Sequence, residues 1–168
     1  MDEMGDQERA GDDVERGCML AIDLGLRTGL ALYGRDGKLR WYRSHHFRNR
    51  AALKRGVYQI MRPITGLEVV VMEGDKHLAQ IWGRLAAKWG AQTRRIDAAC
   101  WREVLLDPCQ QRSGADAKAH ADSAARELIA WSGLSKPTAL RHDTAEAILI
   151  GAWGALEYAW IERSQLPL

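Results

Sequence analysis

The stretch Leu67-Glu68-Val69-Val70-Val71-Met72 most restricts the architecture open to this chain. A nearly continuous β-branched and apolar run forms a strand covered on both faces, as in a parallel arrangement. Parallel neighbours must in turn be joined by crossovers that usually carry helices. The run ends in Glu73, followed at once by Gly74. An acid directly after four apolar residues is a better candidate for a polar pocket than a glutamate taken at random, although alone it says little.

Around that strand the remaining elements fall into place. Met19 to Ile22 is an apolar run ending in Asp23, Gly25 and Gly29 bracket a turn, and Leu30 to Tyr33 resumes the apolar character. Gly34-Arg35-Asp36-Gly37 signals a second turn, after which Leu39, Trp41 and Tyr42 predict a third strand leading into the basic stretch Arg43 to Arg50. The opening third is therefore expected to be an antiparallel three-strand meander. Leu53, Val57 and Ile60 predict a helix over 51–61, stopped by Pro63. A helix over 78–89, a short strand over 92–96, a helix over 99–106 and a polar loop over 107–114 follow. A helix over 116–131 should pack through Ala119, Ala124, Leu128 and Trp131, and a final helix over 143–160 carries Ala147, Ile148, Gly151, Ala155 and Tyr158. The expectation is an α/β fold, with a mixed five-stranded sheet made of the meander plus parallel strands and flanked by helices.

Length and charge bound the rest. A chain of 168 residues, 46% hydrophobic and 27% charged, is enough for one well-packed α/β domain over 18–168. Residues 1–17 hold seven acids and two arginines with no aromatic residue and no periodicity, which predicts a disordered acidic tail without the basic start and apolar centre of a secretory signal. Of the 24 Lys and Arg and 22 Asp and Glu in the whole chain, 22 and 15 then fall in the domain, giving it a modest positive field. That field suits a phosphate-bearing partner and equally suits a solvated surface. No apolar run approaches the ~20 residues of a membrane-spanning helix, so a soluble protein is expected. Cys18, Cys100 and Cys109 are odd in number and lack the paired spacing of zinc or redox sites, which points to reduced thiols in a cytoplasmic protein.

Two further acids stand at the start of the last helix. In Arg141-His142-Asp143-Thr144-Ala145-Glu146 the i, i+3 spacing puts Asp143 and Glu146 on one face of the first turn. Capping and the helix dipole explain such a pair without chemistry. Asp23 beside Gly25 reads equally as a turn-forming aspartate.

Taken together, three segments carry a resemblance. Met19-Leu20-Ala21-Ile22-Asp23-Leu24-Gly25-Leu26-Arg27-Thr28-Gly29, Val69-Val70-Val71-Met72-Glu73 and Asp143-Thr144-Ala145-Glu146-Ala147-Ile148 resemble the RuvC Holliday-junction resolvase family, over roughly 18–160. The resemblance implies a ribonuclease H-like fold with acids on the first strand, the fourth strand and the last helix. Asp23, Glu73, Asp143 and Glu146 would then be metal ligands for two Mg2+ ions, with Mn2+ as a substitute, and Lys118 would resemble the lysine used near the scissile phosphate. It also implies hydrolysis of branched DNA by a homodimer. Leu24 stands where that family usually has proline, the turn to Gly29 is one residue shorter than in the common bacterial enzymes, and Glu146 replaces the usual aspartate. The short turn resembles diverged RuvC-like proteins of phages and mobile elements.

A carboxylate set of this kind suits magnesium, which prefers oxygen ligands, and two such ions can serve an in-line displacement at phosphorus. His142 could ligate or move a proton, or be a surface histidine; Asp75, Lys76 and His77 stay outside the core site. Arg43, His45, His46, Arg48, Arg50, Lys54 and Arg55 could follow a nucleic-acid backbone, with Tyr42 or Phe47 stacking on a base, or could simply be solvated. Trp82, Trp89, Trp153 and Trp160, spaced by seven within each pair, suggest core or dimer packing. Cleavage of RNA by a ribonuclease H-like or YqgF-like enzyme, or nucleic-acid binding without cleavage, are the competing readings.

Overall fold

The computed structural model describes residues 17–111 and 113–168. The acidic segment, apart from Gly17, lies outside the described residues. Strands β1 (Cys18–Asp23), β2 (Arg27–Gly34) and β3 (Leu39–His46) form the expected meander, with β1 antiparallel to β2 and β2 antiparallel to β3. Helix α1 (Arg50–Met61) leads to β4 (Leu67–Glu73), which pairs parallel with β1, and helix α2 (Lys76–Lys88) leads to β5 (Gln92–Ile96), parallel to β4. The sheet order is β3-β2-β1-β4-β5, so the β-branched strand lies beside the central strand as its sequence requires. Helices α3 (Ala98–Leu105), α4 (Gly114–Trp131) and α5 (His142–Glu157) complete the chain with two short 3-10 turns.

Strand alternation splits the apolar residues between two layers. Leu20, Ile22, Leu30, Val70 and Met72 pack with α1 and α2, whereas Met19, Ala21, Ala31, Tyr33, Val69 and Val71 pack with α3, α4 and α5. All residues of α5 from Asp143 to Ala155 are buried, the signature of a helix covered all round. Its approach to the sheet is unusually close. A Cβ at Gly151 would collide with the Tyr33 ring, and one at Gly154 would stand 2.5 Å from Met19 Sδ. Tyr33 cannot easily yield, because its hydroxyl donates to the Ile148 carbonyl at 2.7 Å.

Local capping explains several boundaries. Asn49 caps α1 by accepting from Ala52 N, and Asp75 caps α2 by accepting from His77 N and Leu78 N, so α2 begins two residues before its apolar periodicity does. Helix α4 packs through Ala117, Ala121, Ala124, Ala125, Leu128 and Ile129, and the expected contact Ala119 is exposed instead. Trp89 ends α2 as its C-cap and Trp160 lies beyond α5, so neither tryptophan pair sits within one helix. Trp82 and Trp153 are core residues, whereas Trp89 is 39% exposed. The three thiols are free, and Cys109 is exposed rather than structural. Among the described residues no helix is long and apolar enough to cross a membrane.

The α5 contact yields a stability test. Gly151→Ala should destabilise the protein by about 1–3 kcal/mol through overpacking and lower Tm by several degrees. Gly114→Ala, where a Cβ meets nothing within 4 Å, should leave Tm unchanged or raise it. Equal melting curves for the two variants in calorimetry would contradict the close-packed α5 interface.

Candidate metal centre at the sheet edge

One row of register partners crosses the sheet and sets up the site. Ser44 pairs with Gly29, Gly29 with Asp23, Asp23 with Glu73, and Glu73 with Ile96. Asp23 and Glu73 follow Met19, Ala21 and Val69, Val71 at period two, so both side chains leave the sheet on the α5 face. Neighbouring strands lie about 4.8 Å apart, which makes these two carboxylates direct neighbours. Gly29 then admits the start of α5: a Cβ there would collide with the Asp143 carbonyl.

Glu146 reaches this place from α5, and one carboxylate oxygen each from Asp23, Glu73 and Glu146 all lie within 4.8 Å of one another. Asp143, one turn earlier, is turned to β3, where its Oδ2 accepts a hydrogen bond from the Ser44 hydroxyl. Of the four acids expected in the site, three therefore converge and the fourth borders them, held by Ser44. Capping does not account for the α5 pair. The N-cap position is Arg141 and makes no side-chain cap bond, while Asp143 and Glu146 are each only 8% exposed.

Arg102 and His142 flank one side of the cluster. Arg102 on α3 donates from Nη2 to Glu146 Oε1 at 3.2 Å, and His142 Nε2 lies 3.3 Å from the same oxygen. His142 is thus placed against an acid of the site rather than free on the surface. Lys118 is exposed near the start of α4. Asp75 is spent as the cap of α2, and Phe47, 3% exposed, is a core residue that cannot stack on a base. Sequence reasoning does not single out Ser44 or Arg102, and it reads Gly29 only as the end of a turn. Ser44 and Gly29 could have been found by extending the meander register from Asp23, but nothing in the sequence separates Arg102 from Arg94 or Arg95.

Electrostatics oppose full ionisation of the cluster. Burial, followed by repulsion from Glu146, Glu73 and Asp143, pushes the Asp23 carboxyl up to about 8. Burial and Glu146 also raise Glu73, opposed by Arg102. Three converging carboxylates cannot all ionise without a countercharge, and an all-oxygen donor set is the kind that magnesium or manganese takes. The residues present therefore fit a divalent cation, with Asp23, Glu73 and Glu146 as the oxygens that would hold it.

No family model and no curated protein matches this chain. Among solved structures, T. thermophilus RuvC in complex with Holliday junction substrate aligns with a TM-score of 0.55 at 12% identity, covering 85% of this chain and 96% of that one. The catalytic core domain of BIV integrase covers 80% of both chains with a TM-score of 0.35 at 9% identity. The likeness to RuvC, with the β3-β2-β1-β4-β5 sheet and its flanking helices, identifies the fold as ribonuclease H-like.

The raised carboxyls fix the sign of a pH effect. Asp23 holds its proton in the folded chain up to about 8 but loses it near 3.8 when unfolded, so its contribution to stability is complete below about 4 and is lost as pH rises towards 8. Metal-free protein should therefore melt at a lower temperature at pH 8 than at pH 5, and Asp23→Asn should flatten that difference. Because cation binding requires the ionised acids, magnesium should raise Tm more at pH 8 than at pH 5. Thermal melts with and without EDTA read both effects, and a magnesium shift that survives in Asp23→Asn would remove Asp23 from the cation site.

Proposed function

We propose that this chain is a metal-dependent endonuclease that resolves branched DNA by phosphodiester hydrolysis, acting as a homodimer so that two sites meet two strands. The observation that carries this reading is the convergence of Asp23, Glu73 and Glu146 from β1, β4 and α5, at the places implied by the resemblance to junction resolvases. The fold and its likeness to a RuvC in complex with Holliday junction substrate support the choice of nucleic acid. So does the exposed cationic surround on the same end of the sheet, with Arg27, His46, Arg48, Arg50 and Lys76.

Two magnesium ions, if bound there, would supply the charge stabilisation that an in-line displacement at phosphorus needs. Asp23, central in the row, would be the central metal-holding carboxylate. Glu73 would hold metal beside it and orient water, and Glu146 and Asp143 would complete the ligand set. Ser44 holds Asp143 by its hydroxyl, and Arg102 and His142 hold Glu146 by their nitrogens, so α5 presents both acids in fixed rotamers. Lys118 is the candidate contact to the scissile phosphate from α4. The buried floor formed by Ala21, Val71, Ala145 and Ala147 keeps the acids in low dielectric, where each charge acts strongly on its neighbours.

The deciding experiment compares cleavage of matched four-way junctions, linear duplexes and RNA with magnesium. Preferential cutting of the junction is expected, and cutting of RNA alone would replace the branched-DNA reading with an RNA nuclease. Asp23→Asn should lower the rate on the order of 10^3-fold or more, because one member of a unit costs nearly as much as the whole, while junction binding persists. Calcium should support binding without turnover, and manganese should restore it. Light scattering should report a dimer; a monomer at high micromolar concentration, with and without junction, contradicts paired incision.

A further inference from the structure

A cleft of ≈ 460 Å³ lies between α2 and β5, on the face of the sheet opposite α5. Its volume is in the range of small-ligand sites, about 300–1,000 Å³. Met72, Ala79, Gly83 and Ala87 provide an apolar floor, and Lys76, Arg84 and Arg95 stand along it. The cleft opens at the same end of β4 as the carboxylates but on the opposite face of the sheet: Met72 precedes Glu73, and Arg95 Nη1 donates to the Gly74 carbonyl at 3.1 Å. Lys76 and Arg84 make no ion pair among the described residues, and Arg95 has only the exposed Asp97 at 3.6 Å.

Gly83 is the observation that separates this cleft from an accidental groove. A glycine inside a helix costs about 1 kcal/mol against alanine, and a fold keeps one cheaply where a neighbour forbids a side chain. At Gly151 and Gly154 that reason is present. At Gly83 it is not, since a Cβ would meet nothing closer than Met72 Cε and Thr93 Oγ1 at 4.0 Å. Packing against the sheet does not require this glycine, and its missing side chain widens the cleft.

We propose that the α2–β5 cleft binds an unpaired nucleotide of a nucleic-acid strand, with its base on the Met72, Ala79 and Gly83 floor and its phosphodiester on Lys76, Arg84 and Arg95. Charge selects this occupant. A second copy of the chain docked through the same face would oppose like cations, whereas a polyanion complements all three, and an apolar floor beside a cationic rim is how single strands are held. The inference rests on the nuclease reading for the identity of the strand, but binding itself needs no cleavage.

The test uses the full chain in calcium and a fluorescein-labelled single-stranded oligonucleotide, followed by anisotropy over a salt series. Gly83→Leu fills the floor and should weaken binding about tenfold, and Arg84→Gln should flatten the log–log salt slope by about 0.7. Both variants should keep the wild-type Tm and magnesium-induced shift; should Gly83→Leu fail to fold, Lys76→Gln with Arg84→Gln carries the test. Wild-type binding by both variants overturns the cleft assignment, even where the wild-type enzyme cuts junctions. Loss of binding in a protein that cuts nothing supports the cleft while the nuclease reading fails. A dimer that Gly83→Leu dissociates in the absence of nucleic acid would overturn the assignment by giving the cleft to a second copy.

Discussion

Helix α5 rests on β1 and β2 at a distance that side chains would forbid, and the remaining structure is arranged around that contact. Gly29, Gly151 and Gly154 each face an atom that a Cβ would strike: the Asp143 backbone, the Tyr33 ring and Met19 Sδ. Backbone packed against backbone leaves little room for adjustment, and the Tyr33 hydrogen bond to the Ile148 carbonyl fixes the helix further. Position along the sheet is thereby fixed as well, which is how Glu146 comes to lie over Asp23 and Glu73. Helices α3 and α4 then cover the outer side of α5 and complete its burial.

The cost of this arrangement is electrostatic. Bringing three carboxylates, one buried and two half-buried, within 4.8 Å of one another opposes folding, and the raised ionisation of Asp23 and Glu73 records that opposition. Compensation comes partly from Arg102 on Glu146, partly from the positive end of α5 beneath Asp143, worth about 0.3–1 kcal/mol in exposed cases. Neither neutralises the Asp23–Glu73 side, which explains why the apo site is expected to lose stability as pH rises. A protein that tolerates this strain in its centre has the pattern found where chemistry, rather than stability, decides residue choice.

Much of the architecture was readable from single elements. The meander followed from two turn signals between apolar runs, and β4 from its β-branched run, because both depend on local patterning that burial reinforces. Glu73 and Asp23 stood out for the same reason, as acids terminating apolar strands. What could not be read depended on contacts between distant segments. Phe47 looked available for stacking within a basic stretch, yet it closes the α1 core; Ala119 fits a helical stripe that the helix rotates towards solvent. Ser44 and Arg102 are ordinary polar residues until β3 and α3 bring them to Asp143 and Glu146.

The third acid of the cluster comes from α5, which follows Asp23 and Glu73 late in the chain. During synthesis, at about 5–20 residues per second, the strands carrying Asp23 and Glu73 leave the ribosome seconds before Glu146 exists. A nascent chain in that interval holds two neighbouring acids without their partner, and Gly29, Ala31 and Tyr33 lack the helix that covers them. The cation site thus assembles only when the last helix docks, so competence to hold metal is withheld from every truncated or half-made copy. Under the nuclease reading proposed above, the order of elements along the chain acts as a built-in delay before the site can act.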